Sequence, residues 1–183
     1  METILHLFIT NKCRHDCPLC CNKLYVIDEI PVVTVELLKK ADTVCLTGGE
    51  PLSIHPHLIN RFIRNLRNQY PNIKNLYIYT SGFELLTCHL WLPDCIMDGF
   101  VNGINVAPKD MNDWHIFYKT LSTCPEMFAG QSNRLYVFDD QRIKFNDTAV
   151  SAAGVLIQVL GRKWDREFST PENEHFVRLP ILF

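Results

Sequence analysis

The sequence has no long hydrophobic run and no excess of basic charge. None of its apolar stretches approaches the roughly 18 to 20 residues that a membrane-spanning helix needs, so we expect no membrane segment. The start, METILHLFITNKC, lacks a basic segment followed by a cleavage site, which predicts a cytoplasmic protein. A net charge of −2 at pH 7 argues against general nucleic-acid binding. No internal repeat or linker divides the chain, so residues 1–183 are expected to form a single domain.

What the chain does have is eight cysteines, of which four are clustered. Cys13, Cys17, Cys20 and Cys21 follow the apolar run ILHLFIT, while the other four cysteines are scattered singly through apolar segments. In a reducing compartment, the cluster favours metal binding and the single cysteines favour packing. Two triads fit the cluster: C-x3-C-x2-C, which ends at Cys20, and C-x3-C-x3-C, which ends at Cys21.

Short apolar runs alternate with longer amphipathic segments, which predicts an α/β fold around a parallel sheet. We expect five strands, at 4–10, 43–47, 74–80, 99–107 and 133–138. The C-terminal run HFVRLPILF is expected either to add a sixth strand or to cover an open edge of the sheet, with Pro180 limiting the pairing.

Helices are predicted between these strands. We expect them after the capping residue Thr34, over 55–70, around 110–121 and over 147–161. In the helix over 55–70, the apolar face is predicted from four residues at helical spacing: Leu58, Phe62, Ile63 and Leu66. The helix over 147–161 is predicted to begin at a cap formed by Asp147 or Thr148 and to stop at Gly161.

A second motif, LTGGEPL at positions 46–52, follows the second predicted strand. Taken alone, its Gly-Gly-Glu-Pro core is typical of a turn between a strand and a helix. Its position favours a site, because the cysteine cluster also lies directly after a predicted strand.

The two motifs, in this order and each at the end of a strand, resemble those of the radical S-adenosylmethionine superfamily. The resemblance covers roughly residues 1–110. It implies a partial (β/α)5–6 barrel of the kind found in that superfamily. It also favours Cys20 over Cys21 as the third member of the cysteine triad, because the spacing that ends at Cys20 matches the family.

By this resemblance, Cys13, Cys17 and Cys20 hold three irons of a [4Fe–4S] cluster, and the amino and carboxylate groups of S-adenosylmethionine bind the fourth. One electron from the reduced cluster splits a carbon–sulfur bond of the cofactor. The products are methionine and a 5′-deoxyadenosyl radical, which abstracts hydrogen from a substrate. The electron comes from a donor such as flavodoxin or ferredoxin. The basic helical stretch 60–70 is expected to be a solvated face, and it is also the natural docking surface for an acidic donor.

The resemblance also implies residues that bind the cofactor. The methionine amino group is assigned to one segment: Gly48, Gly49, Glu50 and Pro51. Its glycines let backbone groups come close, and a carboxylate or carbonyl accepts hydrogen bonds from an ammonium. Ser81, just after the third strand, matches a position where such folds place a polar group against the cofactor. Asn102 or Asn105 in the fourth strand would face the interior of a barrel, where one of them is expected to meet S-adenosylmethionine or substrate, and Asn105 is the candidate for cofactor contact.

The chain departs from the family pattern before the third cysteine. That position is commonly aromatic and stacks near adenine, whereas this chain has Leu19. Packing of the adenine is therefore expected to come partly from elsewhere, with Phe8 and Tyr25 as the candidates.

The substrate is not specified by any motif. The short chain favours a small molecule, nucleotide-like or heterocyclic, as in the family of 7-carboxy-7-deazaguanine synthase. The alternative is an activase that installs a glycyl radical on a partner protein such as anaerobic ribonucleotide reductase. A third interpretation is a non-catalytic module built on a zinc knuckle, with Cys21 or His15 as the fourth ligand. That interpretation leaves the Gly-Gly-Glu-Pro motif unexplained.

Overall fold

A computed structural model of the chain describes residues 2–17, 20, 23, 26–164 and 171–183. The fold is α/β, with a parallel sheet of seven strands. The strands are β1 (Ile4–Thr10), β2 (Thr43–Gly48), β3 (Asn75–Thr80), β4 (Gly103–Val106), β5 (Asn133–Phe138), β6 (Ile157–Arg162) and β7 (Glu174–Arg178). Their order in the sheet is β6-β5-β4-β3-β2-β1-β7, so strands that are consecutive from β1 to β6 are neighbours.

The helices lie between the strands, which confirms the predicted α/β class. Those assigned within the described ranges are α1 (Val35–Lys40), α2 (Pro56–Gln69), α3 (Leu92–Met97), α4 (Met111–Thr123) and α5 (Asp147–Ala152). The finer expectation, a partial barrel of the radical S-adenosylmethionine type, stays a prediction. No helix among the described residues is both long and apolar enough to cross a membrane.

Contacts divide the chain into two compact units, and the single domain stays a prediction. The first unit comprises Met1–Ile78 and Asp165–Phe183. In it, β1 pairs with β2 on one side and with β7 on the other. Leu5, Leu7 and Ile9 point to one face of β1 and are fully buried, as the alternation of a strand requires. Thr34 caps α1 as predicted, since its Oγ1 accepts the Leu37 N–H at 3.2 Å.

The second unit comprises Tyr79–Trp164. Its longest helix, α4, begins after Asp110, whose carboxylate accepts the N–H groups of Asn112 and Asp113 at 2.8 and 2.9 Å. Trp114 and Phe117 on the inner face of this helix are fully buried. Burial of each such aromatic side chain stabilises the unit by roughly 1.5–3 kcal/mol.

The predicted helix over 147–161 is wrong in its second half. Helix α5 ends at Ala152, and residues 157–162 form β6, which pairs in parallel with β5. The cap is Asn146, whose side chain accepts the Ala149 N–H at 3.1 Å, instead of Asp147 or Thr148. Gly154, with φ of +67°, takes the left-handed conformation that ends a helix. The residues after Gly154 then find backbone partners in β5, which local pattern alone does not reveal.

Three smaller expectations are also corrected. The apolar face of α2 is centred on Ile59, Ile63 and Leu66, whereas the predicted Leu58 is 38% exposed. The fourth strand covers 103–106 and not 99–107, because the chain before Gly103 forms a turn after α3. The C-terminal segment adds a seventh strand, since 157–162 already supplies the sixth.

Candidate functional site

The cysteine loop leaves the carboxyl end of β1 at Thr10. Cys13, Cys17 and Cys20 are all half-buried. The backbone N–H of His15 donates a hydrogen bond to the Sγ of Cys13 at 3.4 Å. Hydrogen bonds to cysteine sulfur are one of the means by which proteins tune iron–sulfur centres.

The Gly-Gly-Glu-Pro loop is hydrogen-bonded to the start of the cysteine loop. The N–H of Gly49 donates to the carbonyl of Thr10 at 2.6 Å, and the N–H of Glu50 donates to the carbonyl of Lys12 at 2.7 Å. Lys12 directly precedes Cys13. The two motifs that the sequence separates by about thirty residues are therefore joined through their backbones in the first unit.

This contact requires glycine at both positions. A Cβ on Gly49 would lie 2.1 Å from the carbonyl oxygen of Lys12, and a Cβ on Gly48 would lie 2.4 Å from that of Thr10. Gly48 also has φ of +122°, which disfavours other residues. The glycines hold the second motif against the loop that carries the cysteines, which is a more specific role than the general close approach expected from the sequence.

Glu50 and Pro51 begin a short 3-10 turn, Pro51–Ser53. The Glu50 side chain is 2% exposed, and its Oε1 accepts the N–H of Leu52 at 3.2 Å. The carbonyl of Glu50 accepts the hydroxyl of Ser53 at 2.7 Å. The carboxylate thus caps its own turn, and this fixes its direction. Binding of an ammonium by Glu50 stays a prediction.

A lysine supplies positive charge beside the cysteines. Lys23 forms an ion pair with Asp16, within the cysteine loop. The pKa of Lys23 is raised above its ordinary value, first by the hydrogen bond to Asp16 and also by the charges of Cys20 and Cys17. The ammonium would therefore offset part of the negative charge of thiolates in this loop.

The C-terminal tail supports the same end of β1, and sequence reasoning missed this. The N–H of Phe183 donates to the carbonyl of Ile9 at 3.0 Å, and the hydroxyl of Thr10 donates to the carbonyl of Phe183 at 3.1 Å. The ring of Phe183 packs edge-on against Phe62 of α2, with 5.5 Å between centroids. An apolar run after a strand was the available signal, but it did not show which strand the tail would cover.

The remaining candidates lie in the second unit. Ser81 is buried, and its Oγ accepts the N–H of Phe83 at 3.4 Å. Asn105 is 1% exposed, and neither its Oδ1 nor its Nδ2 has a hydrogen-bond partner among the residues described. A buried amide without partners costs about 1–3 kcal/mol, and among the described residues of this unit Asn105 alone has two such atoms.

Of the two residues expected to pack against adenine, the structure describes only Phe8. Phe8 is fully buried and packs edge-on against Phe176, 6.0 Å away between centroids. Leu19, Cys21 and Tyr25 lie outside the described residues. The choice between Cys20 and Cys21 as the third ligand therefore stays a prediction.

An apolar cavity of about 300 Å³ lies in the first unit, away from these groups. It is lined by side chains of α1 and α2 together with Leu7 and Leu179. None of the candidate residues described here lines it.

Comparison with known proteins adds no relative. No family model matches the chain, and no curated protein matches it. What the protein does must therefore be argued from its own residues.

Proposed function

We propose that the protein is a radical S-adenosylmethionine enzyme. The observation that carries the proposal is the pair of backbone hydrogen bonds from Gly49 and Glu50 to the carbonyls of Thr10 and Lys12. A spacing match between two motifs can arise by chance. Their direct connection in space, immediately before Cys13, is what a shared site needs.

The donor set fits a [4Fe–4S] cluster with one open iron. Three half-buried cysteines within one loop would provide three soft thiolate ligands, whereas a structural zinc site is closed by four. The nearby ammonium of Lys23 and the N–H of His15 directed at Cys13 suit a group that carries negative charge on sulfur. The Gly-Gly-Glu-Pro loop would hold the cofactor beside the cysteines, because its glycines pack directly against the backbone of Thr10 and Lys12.

In this proposal Cys13, Cys17 and Cys20 would hold the cluster, and Gly48 to Pro51 would hold the methionine end of S-adenosylmethionine. The bound cofactors would supply a 5′-deoxyadenosyl radical that removes hydrogen from a substrate. The protein would hold the two loops in a fixed position relative to each other and shield the site from water. The electron would come from a one-electron donor, and the substrate would be a small molecule.

Anaerobic reconstitution tests the proposal. The full chain is purified without oxygen, loaded with iron and sulfide, and analysed for metal, colour and product. We expect a brown protein with roughly four irons, which forms 5′-deoxyadenosine when dithionite and S-adenosylmethionine are added. The product is quantified by liquid chromatography with mass spectrometry.

The zinc interpretation gives the opposite result. A colourless protein that retains one zinc and leaves S-adenosylmethionine intact would refute the enzyme. A brown protein that makes no 5′-deoxyadenosine would support the cluster assignment but refute the proposed reaction. The two measurements therefore separate the metal assignment from the activity.

A further inference from the structure

The starting observation is the amide of Asn105 in β4. Both of its polar atoms are buried, and neither has a hydrogen-bond partner in the described part of the chain. An amide offers a donor and an acceptor side by side, which is the pattern that pairs with the edge of a nucleobase. The cost of burying it without partners is recovered if a ligand supplies them.

The register of the strands shows what shares a face with Asn105. Asn105 pairs with Arg134 of β5, and Tyr136 lies two residues further along the same strand. Paired residues of neighbouring strands project to the same side, as do residues two apart. Tyr136 pairs in turn with Leu160 of β6, so this face continues to Arg162.

Two stacked pairs of aromatic rings stand on this face. Tyr79 and Tyr136 are nearly parallel, at 13° and 6.2 Å between centroids, and they come from the strands on either side of β4. Neighbouring strands are about 4.8 Å apart, so the two rings must lean towards each other over β4. The second pair is Phe138 and Trp164, at 17° and 4.1 Å. Planar ligands stack on such surfaces.

Each aromatic pair has a cation above it. The guanidinium of Arg162 lies 4.9 Å from the centroid of Tyr136, and the ammonium of Lys109 lies 3.8 Å from that of Phe138. The indole of Trp164 is held in place by a hydrogen bond from its Nε1 to Asp140 at 3.1 Å. A guanidinium stacked on a ring keeps its N–H groups in the plane, where they can bind a carboxylate or phosphate in a bidentate manner.

We infer that this face of the second unit, defined by Asn105, Tyr79, Tyr136 and Arg162, binds a planar nitrogen heterocycle that carries an anionic group. The amide pairs with the edge of the heterocycle, the tyrosines stack on its plane and the guanidinium holds the anion. The inference rests on the proposed function in one respect, namely that the heterocycle is the substrate of that reaction.

The adenosyl part of the cofactor has the same heterocycle chemistry, but the charges favour a substrate. S-adenosylmethionine carries a positive sulfonium next to its adenosyl group, and two cations on this face disfavour it. A nucleotide or a heterocyclic carboxylate brings the complementary charge. Binding requires the part-exposed ring of Tyr79 to rotate away from the amide, and such rotamer changes are common at binding surfaces.

Binding measurements on the anaerobically reconstituted full chain test the inference. The probes are guanosine 5′-monophosphate, uridine 5′-monophosphate and orotate, with guanosine and inorganic phosphate as the partial ligands. We expect at least one of the three anionic heterocycles to bind, and guanosine or phosphate to bind at least tenfold more weakly than the corresponding nucleotide. Absence of binding for all three anionic probes would overturn the inference.

An unreactive cofactor analogue distinguishes the two sources of the heterocycle. With S-adenosylhomocysteine at saturation, the affinity for the bound probe should be unchanged if the face is a substrate site. Displacement of the probe by S-adenosylhomocysteine would overturn the assignment to substrate and place the adenosyl group there.

Asn105→Leu is the decisive variant, because it should weaken ligand binding and yet stabilise the ligand-free protein. Loss of the amide should weaken probe binding roughly 10- to 100-fold. Removal of a buried group without partners should also raise the melting temperature of the ligand-free protein by about 2–4 °C. A variant that melts lower and binds the probe as tightly as the parent would show that the amide has a purely structural role.

Asn133→Leu is the matched control in the neighbouring strand. Asn133 is also buried, but its amide accepts the N–H of Ile104 at 3.0 Å and donates to the carbonyl of Phe128 at 2.8 Å. This variant should melt lower, by about 5 °C or more, since it leaves those backbone groups without partners. A lower melting temperature for both variants would contradict the inference.

Arg162→Met addresses the anion separately. Methionine keeps much of the apolar stem over Tyr136 but removes the charge, so affinity for the nucleotide should fall to that for guanosine. Iron content and formation of 5′-deoxyadenosine are measured on the same preparations. A variant that keeps its iron and still forms 5′-deoxyadenosine, but no longer binds the probe, is defective at this face alone. If the parent protein itself forms no 5′-deoxyadenosine, the proposed function is refuted instead.

Discussion

The two units of this protein carry their candidate chemistry in different ways. In the first unit, the cysteine loop and the Gly-Gly-Glu-Pro loop are joined by backbone hydrogen bonds, and glycines are required because a Cβ would meet a carbonyl oxygen. In the second unit, the candidate groups are side chains that strand register places on one face, around the unpartnered amide of Asn105 in the described structure.

This difference explains why only one unit has motifs. A contact made by backbone tolerates few residue types and short, fixed spacings, so it leaves a pattern in the sequence. A face made by side chains from several strands needs only the right residue on alternate positions of each strand. Its members are far apart in the chain, and each taken singly resembles ordinary core or surface.

Among the tests of this difference between the two units, replacement of the clustered cysteines should have the largest effect. Cys13→Ala, Cys17→Ala and Cys20→Ala should each remove most of the iron and abolish 5′-deoxyadenosine formation, because a cluster held by two thiolates is not retained. Iron analysis and product quantification provide the measurements.

The controls for this prediction are Cys21→Ala and Cys124→Ala. Cys124 is half-buried in the second unit, and its replacement should leave iron and product unchanged. Loss of iron in Cys21→Ala with retention in Cys20→Ala would mean that the triad ends at Cys21.

Gly49→Ala should have the next largest effect, since it introduces one methyl group at the contact between the two motifs. The added Cβ would lie 2.1 Å from a backbone oxygen, so one loop must shift. We expect a loss of about 1–3 kcal/mol in the free energy of unfolding, together with weaker binding of S-adenosylmethionine and lower iron retention. Denaturant titration and equilibrium binding measure these separately.

Gly99→Ala is the matched control in the second unit. A Cβ there has no neighbour within 4 Å, although φ of +75° strains any other residue by about 1–2 kcal/mol. Its stability should fall while its iron content and cofactor affinity stay at parental values. Equal cofactor affinity in Gly49→Ala and the parent would contradict the role of this glycine.

The smallest effect concerns acid stability of the first unit. The pKa of Asp42 is lowered, first by the hydrogen bond from Lys74 and then by the N–H of Thr3. Its contribution to stability is therefore present above the ordinary carboxyl pKa and is lost as pH falls through the lowered pKa of the folded state. Asp42→Asn should lower the melting temperature slightly near neutral pH, where the carboxylate contributes, and leave it close to the parental value in acid, so the decline between the two is flatter.

Melting curves between neutral and acid pH measure this effect. Asp94→Asn, in α3 of the second unit, serves as the comparison because it removes a carboxylate from a helix instead of from the ends of β2 and β3. The same flattening in both variants would mean that Asp42 has no special part in the acid response.

Much of the fold could be predicted because local pattern and tertiary structure agree. The run ILHLFIT forms β1 over the expected residues, and Thr34 caps α1 through its hydroxyl. The sequence pattern gave a wrong prediction where the same composition suits both a helix and a strand. AAGVLIQVLG is apolar enough for a helix, yet Gly154 ends α5 and pairing with β5 decides for a strand.

The candidate site shows the same division. Cys13, Cys17 and Gly49 were identifiable because each belongs to a spaced motif. The support of β1 by Phe183 and the missing partners of Asn105 were not, because they depend on residues distant in the sequence.

The sequence by itself determined the alternation of strands and helices and the identity of the two motifs, because both follow from residue type and short spacing. Only the tertiary structure decided that Gly49 and Glu50 bond to the residues before Cys13, and that Asn105 shares a face with Tyr136. The physical reason is that parallel pairing brings together strands separated by whole helices, and register, which no local pattern encodes, sets which side chains meet.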